Sequence, residues 1–221
     1  MTSPSETAGP PAGLLLAAGG GTRLGRPKAL VSFRGEPLVR RGVRLLQRGG
    51  CGTVVVVVGA AADEVAALIT DASVQVVRNP DWRAGMGGSL RAGLAALSDA
   101  PAVVVTLVDQ PLVGPAAVRR LTAAWRAGAL VAAASYDEQV RNPVLFDAHV
   151  FAAAAAGASG DQGARALLRE RPEWVERVAC DAVASPRDID TVDDLRALSV
   201  GPDPNPDDID DRPASKEPPW S

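Results

Sequence analysis

Residues 14–30 read LLLAAGGGTRLGRPKAL, and no other stretch restricts the fold of this chain so strongly. An apolar run, Leu14, Leu15, Leu16 and Ala17, breaks into three consecutive glycines, Gly19, Gly20 and Gly21. Arg23, Gly25, Arg26 and Lys28 follow at once. A buried strand that empties into a glycine-rich, cationic loop lets backbone N–H groups approach a polyanion closely. A plain turn needs neither three glycines nor three cations. The pattern points to a nucleoside-triphosphate site.

Two common phosphate loops do not fit. The dinucleotide fingerprint places glycine at its first, third and sixth positions. Counted from Gly19, the third is Gly21 but the sixth is Leu24. The P-loop needs two glycines five apart followed by Lys-Ser/Thr. Gly20 and Gly25 have the spacing, but Arg26 and Pro27 follow. A proline there lacks an N–H and has a fixed φ, which disfavours a helix N-terminus cradling phosphate at that point.

Along the rest of the chain, short β-branched runs alternate with Ala/Leu/Arg segments of helical period. Strands are predicted over 14–17, 53–58, 74–77, 102–107 and 130–134, with helices over 38–48, 62–70, 89–97 and 115–127. Later come a strand at 143–146, short helices at 151–156 and 164–171, and a turn from Pro186 into a final helix near Leu198. Unbroken apolar runs such as VVVVV at 54–58 are expected of a parallel sheet covered on both faces. The fold expected is α/β, a doubly wound, mostly parallel sheet flanked by helices. Ligands of such sheets gather at the carboxyl ends of the strands. The loop 19–28 and Asp109-Gln110-Pro111 then share one edge. Asp109 ends the apolar run VVVTLV, where a carboxylate is costly unless it caps a helix or meets a cation. A triphosphate normally arrives with Mg²⁺, which makes Asp109 a candidate metal ligand.

At 221 residues the chain reads as one domain, residues 13–199, between two tails, 1–12 and 200–221. From Asp203 onward there are six acids, two bases and, with Pro202, six prolines, so that segment is expected to be disordered. The remainder carries 20 acids against 21 bases, which lacks the basic excess of a nucleic-acid-binding surface. No apolar run is long enough to span a bilayer, and the first residues lack a secretory pattern. Cys51 and Cys180 match no metal or redox spacing and read as reduced packing residues, which suits a cytoplasmic protein. His149, the sole histidine, reads as a surface residue, which argues against histidine acid–base chemistry.

The series Leu16, Ala17, Ala18, Gly19, Arg23, Leu24, Gly25, Lys28 resembles the opening signature of the MobA-like NTP transferase superfamily. Three later segments resemble that family too: Asp109-Gln110-Pro111-Leu112, Asn79-Pro80 with Gly85 to Leu90, and Asp188-Ile189-Asp190-Thr191. Ala18 at the opening, together with Arg141-Asn142-Pro143 and Gly160-Asp161-Gln162-Gly163-Ala164-Arg165, narrows the resemblance to the molybdenum cofactor cytidylyltransferases. The resemblance implies a nucleotide-diphospho-sugar-transferase-like, Rossmann-type fold. It also implies transfer of CMP from CTP to the terminal phosphate of molybdopterin, with a molybdoenzyme receiving the product. Nucleotide would be held by residues 16–21, Arg23, Lys28, Asn79, Ser89 and Asp109. Arg23, Lys28 and Asp109 would be catalytic, and Asp109, Asp190 and Asp188 would hold Mg²⁺. Asn142, Asp161 and Arg165 would face the pterin. Val192 stands where the family has proline, and Asp190 or Thr191 could equally cap the last helix. The same chemistry with GTP or another phosphate acceptor stays open, as does an NAD(P)-dependent oxidoreductase.

Overall fold

The structure is a computed structural model describing residues 9–158, 160 and 163–201. In chain order its strands are β1 (Ala12–Ala17), β2 (Ser32–Phe33), β3 (Glu36–Pro37), β4 (Val54–Val58), β5 (Val74–Arg78), β6 (Ala102–Leu107), β7 (Val131–Tyr136), β8 (Gln139–Asp147) and β9 (Val175–Ala179). The helices are α1 (Leu38–Arg48), α2 (Ala62–Ala67), α3 (Met86–Ala96), α4 (Pro115–Arg126), α5 (Phe151–Gly157), α6 (Arg165–Glu170) and α7 (Val192–Val200).

Every residue of β1 and β4 is buried, because both faces of the sheet are covered. Successive side chains point to opposite faces, so each strand feeds two cores. Leu15, Val56 and Val58 pack in one core with Leu38 and Leu46 of α1 and Leu121 of α4. Leu14, Leu16, Val55 and Val57 pack in the other with Leu90 and Leu94 of α3. The seven-stranded sheet has the order β5-β4-β1-β6-β8-β7-β9, with β2 and β3 forming a separate ribbon. All its strands run one way except β8, which pairs antiparallel with β6 and β7. The fold is thus the expected doubly wound, mostly parallel sheet.

The strand order reverses between β1 and β6, whose pairing is parallel. One neighbour begins the path to β4 and β5, the other the path to β8. A crevice opens at such a switch point beyond the carboxyl ends of the strands. Here its two lips are the glycine-rich loop after β1 and the Asp109 turn after β6.

The predicted strands all form, and α1 runs over the predicted residues. β9 was not anticipated, because its sequence VERVA is mostly exposed at a sheet edge and breaks apolar alternation. The ribbon of β2 and β3 is only two residues per strand, below what periodicity detects. α3 opens at Met86, three residues before the expected start, and α2 closes at Ala67 rather than at 70. β1 already includes Ala12, and the Pro11 carbonyl accepts from Gly52 N–H at 2.9 Å, so ordered backbone precedes the domain start expected at 13. α7 ends at Val200, one residue past the expected boundary. Residues 1–8 and 202–221, expected as tails, lie outside the described residues. Cys51 and Cys180 are buried and unpaired, as packing residues should be, and burial pushes the Cys51 thiol up to about 12. Among the described residues no helix is long and apolar enough to cross a membrane.

The approach of α3 to β1 depends on Gly93, where a Cβ would lie 2.3 Å from Leu14 Cδ1. Gly93→Val must push the helix off the strand, an overpacking that costs about 1–3 kcal/mol. For a chain of this size the Tm should fall by roughly 2–12 °C in a thermal melt. An unchanged Tm would contradict the contact.

Candidate active site

The loop after β1 starts with backbone held to the sheet: the Ala18 carbonyl accepts from Ala60 N–H at 3.0 Å. Gly21 has φ +61°, and a Cβ there would sit 2.1 Å from the Arg26 carbonyl oxygen, so only glycine closes this turn. Gly20 lies against the Trp82 indole, with room for no more than a Cβ at 3.0 Å from the ring. Leu24, at the position that breaks the dinucleotide fingerprint, packs on the hydrophobic core. Pro27 is extended at ψ 126°, and behind it Lys28 begins a single 3₁₀ turn. The loop therefore aims Lys28 back over the crevice instead of starting a phosphate-cradling α-helix.

There the Lys28 ammonium donates to Asp109 Oδ2 at 2.7 Å and to Asp190 Oδ1 at 2.6 Å. Arg23 Nη2 meets the other oxygen of Asp190 at 2.9 Å. Three segments far apart in the chain thus converge on one ammonium. The late segment is docked to the Asp109 turn by its backbone, Ile189 N–H donating to the Asp109 carbonyl at 2.9 Å. Ile189 itself is fully buried. Gln110 Nε2 donates to the Pro186 carbonyl at 3.2 Å. Thr191, not Asp190, caps α7 through a capping box with Asp194, which leaves the Asp190 carboxylate to the crevice. From behind, buried Arg41 of α1 donates through Nε to the Pro111 carbonyl at 2.6 Å and steadies the same turn.

The Lys28 and Asp109 side chains are only 17% and 19% exposed, so this is no solvent-screened surface pair. Burial works against the charged Lys28, but Asp109 and then Asp190 outweigh it and hold the ammonium above its ordinary value. The hydrogen bond from Lys28 holds the Asp190 carboxyl below the usual carboxylate range. Asp188 is pushed up, by burial first and then by the neighbouring Asp109 carboxylate.

A cavity of about 290 Å³ opens between these lips. Leu16, Ala18, Gly19, Gly20, Gly21, Lys28, Ser89 and Asp109, all expected at the nucleotide, line it. Ala17 does not, because strand alternation turns it into the opposite core. Asn79 does not either: its Nδ2 donates to Ser89 Oγ at 3.0 Å and its Oδ1 accepts from Asp81 N–H at 3.1 Å, so it holds the turn before α3. Arg23, Asp188 and Asp190 are not among its lining residues, although Asp190 meets it through Lys28. Asn142 and Arg165 lie together on an adjoining slot, while Asp161 is outside the described residues. Sequence reasoning missed Trp82, Arg83 and Met86 as lining residues. Trp82 and Arg83 fall at unspecified positions of the motif after Pro80, where no spacing singles them out, while Met86 stands at a specified position of that motif but was not assigned to the nucleotide. Gly85, at φ 108° before α3, provides no side-chain cap, and Gly85, Met86 and Ser89 bring the amino end of that helix to the cavity wall.

The three aspartates expected at a metal do not come together as a ready ligand set, and among the described residues no group of three His, Cys, Asp or Glu does. Lys28 fills the space between Asp109 and Asp190 and neutralises them. The residues nonetheless suit a hard divalent cation. Asp109 Oδ1 is buried with no hydrogen-bond partner among the described residues, and carboxylate oxygens supplemented by substrate phosphates are the usual ligands of Mg²⁺.

The profile of the MobA-like NTP transferase domain matches residues 13–183. The chain belongs to this family. A curated relative, nicotine blue oxidoreductase of Paenarthrobacter nicotinovorans, is 40% identical over 193 residues, covering 84% of this chain and 95% of its own length. The 2-C-methyl-D-erythritol 4-phosphate cytidylyltransferase of Rhodococcus opacus is 38% identical over 127 residues, 56% of this chain and 55% of that protein. Among solved structures, Rv0371c of Mycobacterium tuberculosis superposes with a TM-score of 0.76 at 32% identity over 87% of this chain and 99% of its own, and it has also been solved as a manganese complex. The MobA-like family thus accounts for the glycine-rich loop and for the crevice, and this chain is a nucleotidyltransferase-family enzyme.

The charge arrangement has a pH signature. Asp190 is depressed below 3.8, so its pairing stabilises the fold above that value and is lost as pH falls through the folded-state pKa. Lys28 is raised above 10.5, so its contribution is present below 10.5 and lost as pH rises through the raised value. The Tm difference between wild type and Lys28→Met should be largest near neutrality and shrink at both extremes. A difference independent of pH would contradict the pairing.

Proposed function

We propose that this enzyme transfers a nucleoside monophosphate from a triphosphate to the phosphate of a small acceptor, with CTP as donor and molybdopterin as acceptor. The observation that carries this reading is the meeting of Lys28 with Asp109 and Asp190 on the rim of a cavity floored by Gly19, Gly20 and Gly21. CTP is favoured by Ala18 in the opening motif and by the cytidylyltransferase relatives. Molybdopterin is favoured by Asn142 and Arg165, which line the slot beside the nucleotide cavity.

In the step proposed, an oxygen of the acceptor phosphate attacks the α-phosphorus of CTP. The new P–O bond forms as the bond to the β-phosphate breaks, and pyrophosphate leaves with that electron pair. A phosphate monoester has a second pKa of about 6 and is mostly ionised at pH 7, so no general base is needed. That suits a site whose lining holds no histidine; His149 is exposed beside Asp147 at the end of β8. The backbone N–H groups of residues 19–21 and the amino end of α3 hold phosphate oxygens. Lys28 and Arg23 neutralise the charge that gathers on the departing pyrophosphate. Asp109 and Asp190 would hold a divalent cation, Mg²⁺ being the one expected, with Asp188 behind them. Bound there, it supplies Lewis-acid polarisation of the phosphate.

A second reading rests on the 40% identical oxidoreductase. The same cradle would then take the pyrophosphate of NAD(P)H, although Leu24 departs from the dinucleotide fingerprint. The test is label transfer from [α-³²P]CTP to molybdopterin in the presence of Mg²⁺, run beside the other three triphosphates and beside oxidation of NADPH by nicotine blue. The expected outcome is a labelled dinucleotide from CTP, with turnover falling at least ~100-fold in Lys28→Ala and in Asp109→Ala, the scale of one lost electrostatic stabiliser. Near-normal transfer by both variants would refute the roles assigned. NADPH oxidation without label transfer would favour the second reading.

A further inference from the structure

Beside the nucleotide cavity lies a larger groove of about 1170 Å³, built by the β7–β8 hairpin, α6 and β9. Four guanidinium groups line it: Arg141 from β8, Arg165 and Arg169 from α6, and Arg177 from β9. Among the described residues two carboxylates line it with them, Asp137 and Glu138 on the hairpin turn. Among the described residues Arg141, Arg165 and Arg177 make no ion pair with a carboxylate, whereas Arg23, Arg44, Arg78, Arg171 and Arg196 each do. In a chain of net charge −3, three guanidinium groups in one concavity, those of Arg141, Arg165 and Arg177, without a carboxylate partner among the described residues favour an anionic occupant.

The groove is joined to the site of transfer. A narrow slot of about 40 Å³ shares Leu16, Met86 and Leu107 with the nucleotide cavity and shares Arg165 and Leu168 with the groove. Apolar side chains make up most of its wall. Met86 closes it, with its Sδ so near Gly163 that a Cβ there would lie 3.1 Å away. A thioether chain with several rotatable bonds yields readily to a ligand.

We propose that the acceptor spans all three spaces: its attacking phosphate beside the α-phosphate, its middle in the Met86 slot, and a second anionic group held by Arg141, Arg165, Arg169 and Arg177. This rests on the nucleotidyl-transfer reading but not on molybdopterin, whose one phosphate is the attacking group, and adds to that reading a requirement for charge at both ends of the acceptor. Arginine suits the task because its planar fork binds phosphate or carboxylate in a bidentate manner.

The test uses analogues of the product, cytidine 5′-diphosphate esterified to alkyl chains of graded length that end either in a hydroxyl or in a phosphate. Affinities are measured by isothermal titration on the full chain. For the chain length that spans the slot, the phosphate-ended compound should bind at least ~10-fold tighter than its hydroxyl partner, the scale of one charge-assisted hydrogen bond. The gain should vanish in the Arg141→Ala/Arg177→Ala double variant, whose affinity for plain cytidine 5′-diphosphate should stay within about twofold of wild type, which also shows that it is folded. Equal affinity of the two compounds at every length, or a gain that survives the double substitution, overturns the proposal. Failure of plain cytidine 5′-diphosphate to bind wild type would instead overturn the nucleotide reading beneath it.

Discussion

One ammonium group ties the crevice together. Lys28 reaches from the loop after β1 to Asp109 after β6 and to Asp190 before α7, residues separated by 81 and 162 positions in sequence. Two carboxylates facing one partly buried point would repel each other without a cation between them. Lysine meets that need in the free chain and so closes the two lips of the switch point across a gap that the sheet leaves open. The same carboxylates, one with an orphaned oxygen, suit a divalent cation when a triphosphate arrives. The electrostatic need that stabilises the free site therefore also prepares it for its substrate.

The parallel half of the fold was legible because burial on both faces writes itself as unbroken valine and leucine. VVVVV admits no other comfortable role, and the glycine loop marks where a strand must end. Legibility fails where burial is partial. β9 sets two adjacent charged residues between apolar ones at a sheet edge and so breaks the alternation, and β2 with β3 is too short to have a period. Helix ends shift because the caps are tertiary. α3 starts at Met86 under the constraint of Gly85 and the Asn79–Ser89 hydrogen bond, neither visible as a capping signature.

In the site itself, the residues of the loop and of the Asp109 turn were readable because motif and topology agree on them. The partnership of Lys28 with Asp190 was not, since nothing in spacing says that segments so distant will meet. Asn79 is near the site yet spends its side chain on the turn. Trp82 is the converse: its indole abuts Gly20 in the cradle and carries the Arg83 guanidinium 4.5 Å above its ring, though no motif position demanded it. Folds of this kind host unrelated chemistries, and a relative bearing an oxidoreductase name shows how little the sheet alone decides. What weighs for phosphoryl chemistry is the charge set on the rim.

Isothermal titration of CTP into the full chain, once with Mg²⁺ and once with a chelator, bears most directly on that charge set. Binding of one CTP per chain that weakens at least ~10-fold without the cation is the expected result, since the metal neutralises both the triphosphate and the aspartates. Affinity for CTP indifferent to Mg²⁺, or tight binding of NADPH where CTP gives no heat, would contradict it.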